Sequence, residues 1–78
     1  MKLVLICDEK KIYEGEISQI NVVTSNGNVT ILPNHQPYMT KISEKISYTL
    51  LNGNNTLLDI SEGFLYTDGN TCFVVVDK

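Results

Sequence analysis

Short runs of β-branched and aromatic residues, separated by polar turn signals, make up almost the whole chain. Three Asn-Gly or Asp-Gly steps punctuate it, at residues 26–27, 52–53 and 68–69. These pairs favour tight hairpin turns because both residue types tolerate positive φ. No segment sustains the helical apolar spacing, although residues 41–45, KISEK, suit a single turn. The pattern predicts an all-β fold: a small two-sheet antiparallel β-sandwich or flattened barrel of about ten short strands.

Two of the predicted strands lack the alternation expected of a sheet with one wet face. LVLIC (3–7) and CFVVV (72–76) are apolar at every position. A strand of an antiparallel sheet normally places polar side chains on its solvent face. Because no predicted helix is available to cover a second dry face, we expect a partner protein to cover part of one sheet.

Length and charge restrict the class of protein. The 78 residues predict one domain spanning 1–78, and the apolar fraction of 42% is typical of a folded core. The net charge is −3, and the six Lys and Arg residues are scattered, so we expect no nucleic-acid partner. No apolar run reaches membrane-spanning length, and the first apolar stretch is too short for a secretory signal. We therefore expect an intracellular protein.

The residues capable of chemistry do not form a recognisable catalytic or metal-binding pattern. His35 is the only histidine, and no nucleophile motif accompanies it. Cys7 and Cys72 lack metal-ligand spacing. We interpret both as small buried residues, with a disulfide as the alternative if the first and last strands lie side by side. We predict no catalytic residue, no metal site and no cofactor.

The segment TILPNHQPYMT (30–40) is the most unusual part of the sequence. Pro33 and Pro37 fix φ at two points four residues apart, so the loop between them is predicted to be stiff. A stiff loop leading into Tyr38 and Met39 suits a docking surface, since both residue types are common in interface cores. The alternative is a tight structural corner with Tyr38 or Met39 in the domain core.

The same segment carries a family resemblance. ILPNHxP followed by Thr40, together with Tyr13-Glu14-Gly15 upstream and SEGFL (61–65) and NTCFVVVD (70–77) downstream, resembles the N-terminal β-sandwich domain of epsilon subunits of F-type ATP synthases. The resemblance covers nearly the whole chain. Family members usually continue into a C-terminal helical hairpin. A natural chain that ended at Lys78 would resemble the short forms in which that helical domain is absent.

The resemblance implies a non-catalytic rotor subunit that docks the gamma subunit onto the membrane c-ring and supports the coupling of proton flow to ATP synthesis. It would lie on the cytoplasmic face of a bacterial inner (plasma) membrane, attached only through the complex. The gamma-facing residues it implies are His35, Pro37, Tyr38, Met39 and Thr40. The implied c-ring contact is the hairpin tip Ser25, Asn26, Gly27 and Asn28.

Two further expectations follow from the small acidic β-domain. An isolated chain with a bare apolar face would be able to dimerise. The alternative functions are a lipoyl- or biotinyl-type carrier domain or another small all-β protein-binding module, although a carrier domain needs a lysine at the tip of a central hairpin. The lysines at 10–11 follow the first strand and Lys78 is terminal, which disfavours the carrier.

Overall fold

Six strands form one closed sheet in the computed structural model, which describes Met1 to Lys78. All strand pairs are antiparallel except the pair formed by the first and last strands, which is parallel. The strands are β1 (Lys2–Cys7), β2 (Lys10–Thr24), β3 (Gly27–Ile31), β4 (Tyr38–Leu50), β5 (Asn55–Thr67) and β6 (Thr71–Asp77). The order is β1-β6-β5-β4-β2-β3, and a further β1–β2 pairing closes five strands into a barrel with β3 outside it. The all-β prediction is confirmed.

The strands are fewer and longer than the approximately ten short ones expected. β2, β4 and β5 each run for 13 to 15 residues because they bend through irregularities instead of ending. One of these lies in KISEK, where Glu44 adopts φ +69° and forms a β-bulge between Ser43 and Lys45. The single helical turn expected there is therefore wrong, and β4 continues through the bulge as one strand.

The turns predicted from glycine pairs are confirmed. The glycines of the three Asn-Gly and Asp-Gly steps are Gly27, Gly53 and Gly69, and all three have positive φ. The β1–β2 hairpin uses Asp8 and Glu9 instead, with φ of +50° and +70°. Positive φ at both central residues defines the type I′ turn, which matches the twist of the paired strands.

The barrel interior is filled by one apolar cluster of 15 buried residues. Each strand contributes alternate positions, so that β6 buries Cys72, Val74 and Val76 and turns Phe73 and Val75 outward. The members are Leu3, Leu5, Cys7, Ile17, Ile20, Val22, Ile31, Ile42, Ile46, Tyr48, Ile60, Leu65, Cys72, Val74 and Val76.

The two cysteines are free and buried, although β1 and β6 do lie side by side. Leu3 pairs with Cys72, whereas Cys7 pairs with Val76, four residues further along the same two strands. At about 3.3 Å per residue, that offset separates the cysteines by roughly 13 Å. The interpretation as small buried residues is confirmed, and burial raises the pKa of the Cys72 thiol to about 12.

Candidate docking surfaces

The proline-rich loop is a turn fastened to a second turn. The His35 N–H donates to the Leu32 carbonyl at 3.2 Å and closes the loop locally. Asn34 adopts φ +67°, a conformation that asparagine tolerates better than most residues. Its N–H donates to the Gly69 carbonyl in the β5–β6 turn at 2.9 Å. The loop is therefore held at both ends by proline and at its centre by the neighbouring turn.

His35 lies on this loop with its ring half-exposed. Its Nδ1 is 2.7 Å from the Gln36 carbonyl oxygen, so this nitrogen carries the proton and donates. The ring also lies against Tyr38, with ring centroids 5.7 Å apart. These contacts orient the imidazole as part of a presented surface, and Nε2 is left as an acceptor in the neutral ring.

The first residues of β4 do not share one face. Tyr38 is half-buried and packs against the core, and the half-exposed Thr40 donates its hydroxyl to the Lys41 carbonyl. Met39, between them, points outward and is 71% exposed. The five predicted gamma-facing residues therefore lie in two places. Met39 lies on the side of the barrel. The other four lie at its end: His35, Pro37, Tyr38 and Thr40.

The side of the barrel carries an exposed apolar surface, here called the outer face. Its members are Met39, Phe64, Tyr66, Phe73 and Val75, which are between 43% and 71% exposed. They are contiguous because Met39 pairs with Tyr66 and Tyr66 with Phe73 in one row, while Phe64 pairs with Val75 in the next. The Tyr66 and Phe73 rings stack with centroids 6.5 Å apart.

Sequence reasoning missed four of these five residues individually. The sequence did indicate an exposed apolar surface, because CFVVV is apolar on both faces of its strand. The outward face of that strand contributes Phe73 and Val75. Phe64 and Tyr66 flank buried Leu65 in β5, so the run of residues 64–66 is also apolar on both faces, but it is shorter than CFVVV. They join the surface only because β5 pairs between β4 and β6.

The predicted c-ring tip, residues 25–28, is fully exposed at the β2–β3 turn. Buried Thr24 fastens it from below: its Oγ1 accepts the Asn26 N–H at 3.1 Å and donates to the Gly27 carbonyl at 2.9 Å. The tip is therefore a rigid polar projection. Ser25 also lines a groove of about 410 Å³ together with Lys41, Glu62 and Asp77.

The tip and the proline-rich loop lie at opposite ends of the barrel. The loop contacts Gly69, which precedes the first residue of β6. Ser25 instead lines the groove beside Asp77, the last residue of β6. The outer face lies between these two ends, since Phe73 and Val75 are the middle of that strand.

Charged groups are arranged around the apolar surface rather than within it. Glu14 on β2 accepts hydrogen bonds from Lys11 and Lys2, which lower the pKa of its carboxyl to about 2. Backbone N–H groups of Thr71 and Asn70 lower the pKa of Asp68.

No three metal-ligating side chains come together, and the structure contains no helix that is long and apolar enough to cross a membrane.

The structure belongs to the class of small closed β-barrel domains, and it presents a stiff loop, a polar tip and a bare apolar face. Comparison with known proteins defines the family. Residues 1–78 match the family described as "ATP synthase, Delta/Epsilon chain, beta-sandwich domain", and the chain belongs to that family.

Curated relatives agree with this assignment. The epsilon chain of Clostridium botulinum ATP synthase is 32% identical over 78 residues, covering 99% of this chain and 59% of its own length. The chloroplastic epsilon chain of Bigelowiella natans is 28% identical over 80 residues and 58% covered. The chain thus spans somewhat more than half the length of these relatives, which are bacterial and chloroplastic.

Solved structures share the fold. A chain of the Euglena gracilis mitochondrial ATP synthase superposes with a TM-score of 0.88 over 95% of this chain and 48% of its own, at 18% identity. A chain of the Tetrahymena thermophila mitochondrial ATP synthase central stalk and c-ring gives 0.75 over 100% of this chain and 63% of its own, at 17% identity.

Proposed function

We propose that the chain is a non-catalytic central-stalk subunit of a proton-translocating F-type ATP synthase, where it docks the gamma subunit onto the c-ring. Family membership over residues 1–78 carries the proposal. Two neighbours of the same fold belong to structures described as containing a c-ring, one of them also a central stalk, which supports the same assembly. The family match also favours this function over a carrier domain.

The proposed gamma contact combines the loop with part of the outer face. His35, Pro37, Tyr38 and Thr40 form the end of the barrel, and Met39 connects that end to Phe64 and the aromatic pair beside it. Apolar burial would supply the affinity, whereas the stiff loop would set the orientation at little cost in entropy.

The proposed c-ring contact is the tip at residues 25–28. It is polar, exposed and held by Thr24, and it lies at the end of the barrel remote from the loop. Contacts at two opposite ends suit a subunit that bridges two partners. In this arrangement the subunit is peripheral and reaches the membrane only through the complex, whether that membrane is bacterial or organellar.

Binding to purified gamma subunit tests the first contact. His35→Ala removes a half-exposed ring without emptying the core, so we expect weaker gamma binding with an unchanged circular dichroism spectrum. Tyr38→Ala should weaken it too, but this side chain also packs on the core and its stability must be measured in parallel. Asn54→Ala, on the exposed β4–β5 turn, is the matched control. Unchanged binding in both variants would refute the assignment of that surface.

Cysteine cross-linking within the assembled synthase tests the second contact. Ser25→Cys should cross-link to the polar loop of a c subunit, whereas Asn54→Cys on another exposed turn should not. The native cysteines are both buried and should stay silent. A cross-link from Asn54→Cys with none from Ser25→Cys would place the c-ring elsewhere.

Residues 1–78 contain no helix, so these residues do not supply a helical hairpin that could enter the catalytic head. We expect that adding this 78-residue chain to a reconstituted complex leaves its rate of ATP hydrolysis within about twofold of the rate without it. Strong inhibition would contradict this part of the proposal.

A further inference from the structure

The outer face is large and regular enough to be an interface by itself. Three of its five residues are aromatic, and the five are between 43% and 71% exposed. Since an aromatic side chain offers 150–250 Å² of surface, the face presents on the order of 500 Å². That is near the largest apolar patch found on a typical monomer.

The backbone beneath this face is uninterrupted. Pairing is continuous from Tyr38 to Ser43 on β4, from Glu62 to Thr67 on β5 and along all of β6. The bulge at Glu44 and the other irregularities lie outside this area. A regular, apolar, twisted sheet surface is what a second sheet packs against in a β-sandwich, about 10 Å away.

The rim of the face carries charges of both signs. Lys41 pairs with Phe64 in the β4–β5 register, and Glu62 pairs with Asp77 one row further along. All three side chains are exposed. A surface with both signs at its border can pair with itself in a two-fold arrangement, because its lysine can face a carboxylate of the second copy.

We propose that two copies of this chain pair through the outer face when no other protein covers it. Two faces of this size would bury roughly 1,000 Å² in total, the lower limit for a specific interface. The dimer is therefore weak and forms reversibly at high concentration. Because Met39 and Phe64 also belong to the proposed gamma contact, the dimer and the stalk complex exclude each other, and the unassembled subunit shields its apolar face.

Sedimentation equilibrium of the purified 78-residue chain tests this inference without any other subunit. The apparent mass should rise with concentration from 8.7 kDa toward twice that value. Phe64→Glu places an unpaired carboxylate in the middle of the face and should weaken the dimer more than tenfold. Met39→Glu, at the most exposed position of the face, should act in the same direction with no effect on folding.

Leu57→Glu is the matched control, because Leu57 also lies on β5 and is 62% exposed but is not part of the outer face. This variant should dimerise as the parent does. A chain that stays monomeric to about 1 mM, a range that covers weak complexes, would overturn the inference and leave the face to a different protein. A dimer that survives both face variants, or that Leu57→Glu also abolishes, would overturn it equally. None of these three outcomes tests gamma binding, which is measured separately.

Discussion

The backbone N–H of Asn34 donates to the carbonyl of Gly69 at 2.9 Å, and this bond joins the proline-rich loop to the β5–β6 turn. The two residues lie 35 positions apart in the chain. Gly69 is buried and has φ +99°, and a Cβ there would lie 2.8 Å from the His35 carbonyl oxygen. The loop can approach the turn this closely only because residue 69 has no side chain.

Substituting Gly69 with alanine should therefore destabilise the fold by more than its backbone conformation alone explains. Gly53 has a similar φ of +92° but open space around it, so Gly53→Ala measures the conformational cost, about 1–3 kcal/mol. Gly69→Ala should cost at least about 1 kcal/mol more, since the His35 backbone must also move. Urea unfolding of both variants measures the difference, and equal losses would show that the loop contact does not contribute.

Thr67 supports the same turn from within. Its fully buried Oγ1 accepts the Gly69 N–H and donates to the Thr71 carbonyl, both at 3.1 Å. Thr67→Val keeps the shape but leaves the buried Gly69 N–H unpaired, while the Thr71 carbonyl keeps the bond from the Asp68 N–H. The unpaired N–H should cost about 1–3 kcal/mol. Thr24→Val removes the corresponding bonds at the β2–β3 turn, where the tip is exposed and water can replace them. Its loss in the same urea experiment should be smaller, and the reverse order would contradict this explanation.

Glu44 is the only non-glycine residue within a strand that has positive φ. The other positive φ within a strand belongs to Gly27, the turn residue that begins β3. Glu44→Gly should raise the free energy of unfolding by about 0.5–1 kcal/mol, because relief of the left-handed strain exceeds the added entropy of the unfolded chain. Glu62→Gly, on the neighbouring strand with ordinary backbone angles, should lower it by a similar amount. A loss of stability in Glu44→Gly, measured by thermal unfolding, would show that the carboxylate has a stabilising contact of its own.

The cluster of Glu14 with Lys2 and Lys11 predicts a pH dependence. The pKa of Glu14 is about 2 in the folded chain, below its ordinary value of 4.5. A lowered carboxyl pKa contributes stability that is present above pH 4.5 and is lost as the pH falls toward 2. The contribution is modest because the side chains are solvent-exposed and screened by salt. The urea midpoint of Glu14→Gln should thus converge with that of the parent between pH 4.5 and 2, and a constant difference would contradict this linkage.

The extended runs and the tight turns between them could be predicted from the sequence because they depend on near neighbours, whereas the continuation of β2, β4 and β5 through their irregularities could not. Asn-Gly and Asp-Gly steps set local φ, β-branched runs favour extended backbone, and Pro33 and Pro37 stiffen the loop between them. The second dry face of the last strand also indicated an exposed apolar surface before any pairing was known. Family membership, too, was evident from the ILPNHxP segment and the motifs around it.

Tertiary structure alone decided which residues meet. The β5–β6 pairing placed Phe64 and Tyr66 beside Val75 and Phe73, and the β1–β6 register kept Cys7 away from Cys72. It also separated Tyr38 from Met39, which are adjacent in sequence but lie on opposite faces of β4. Register between distant strands depends on how the whole core packs, since a shift of one residue exchanges the buried and exposed faces. Local sequence determined where the backbone of this protein is extended and where it turns, and the closing of the barrel determined its surfaces.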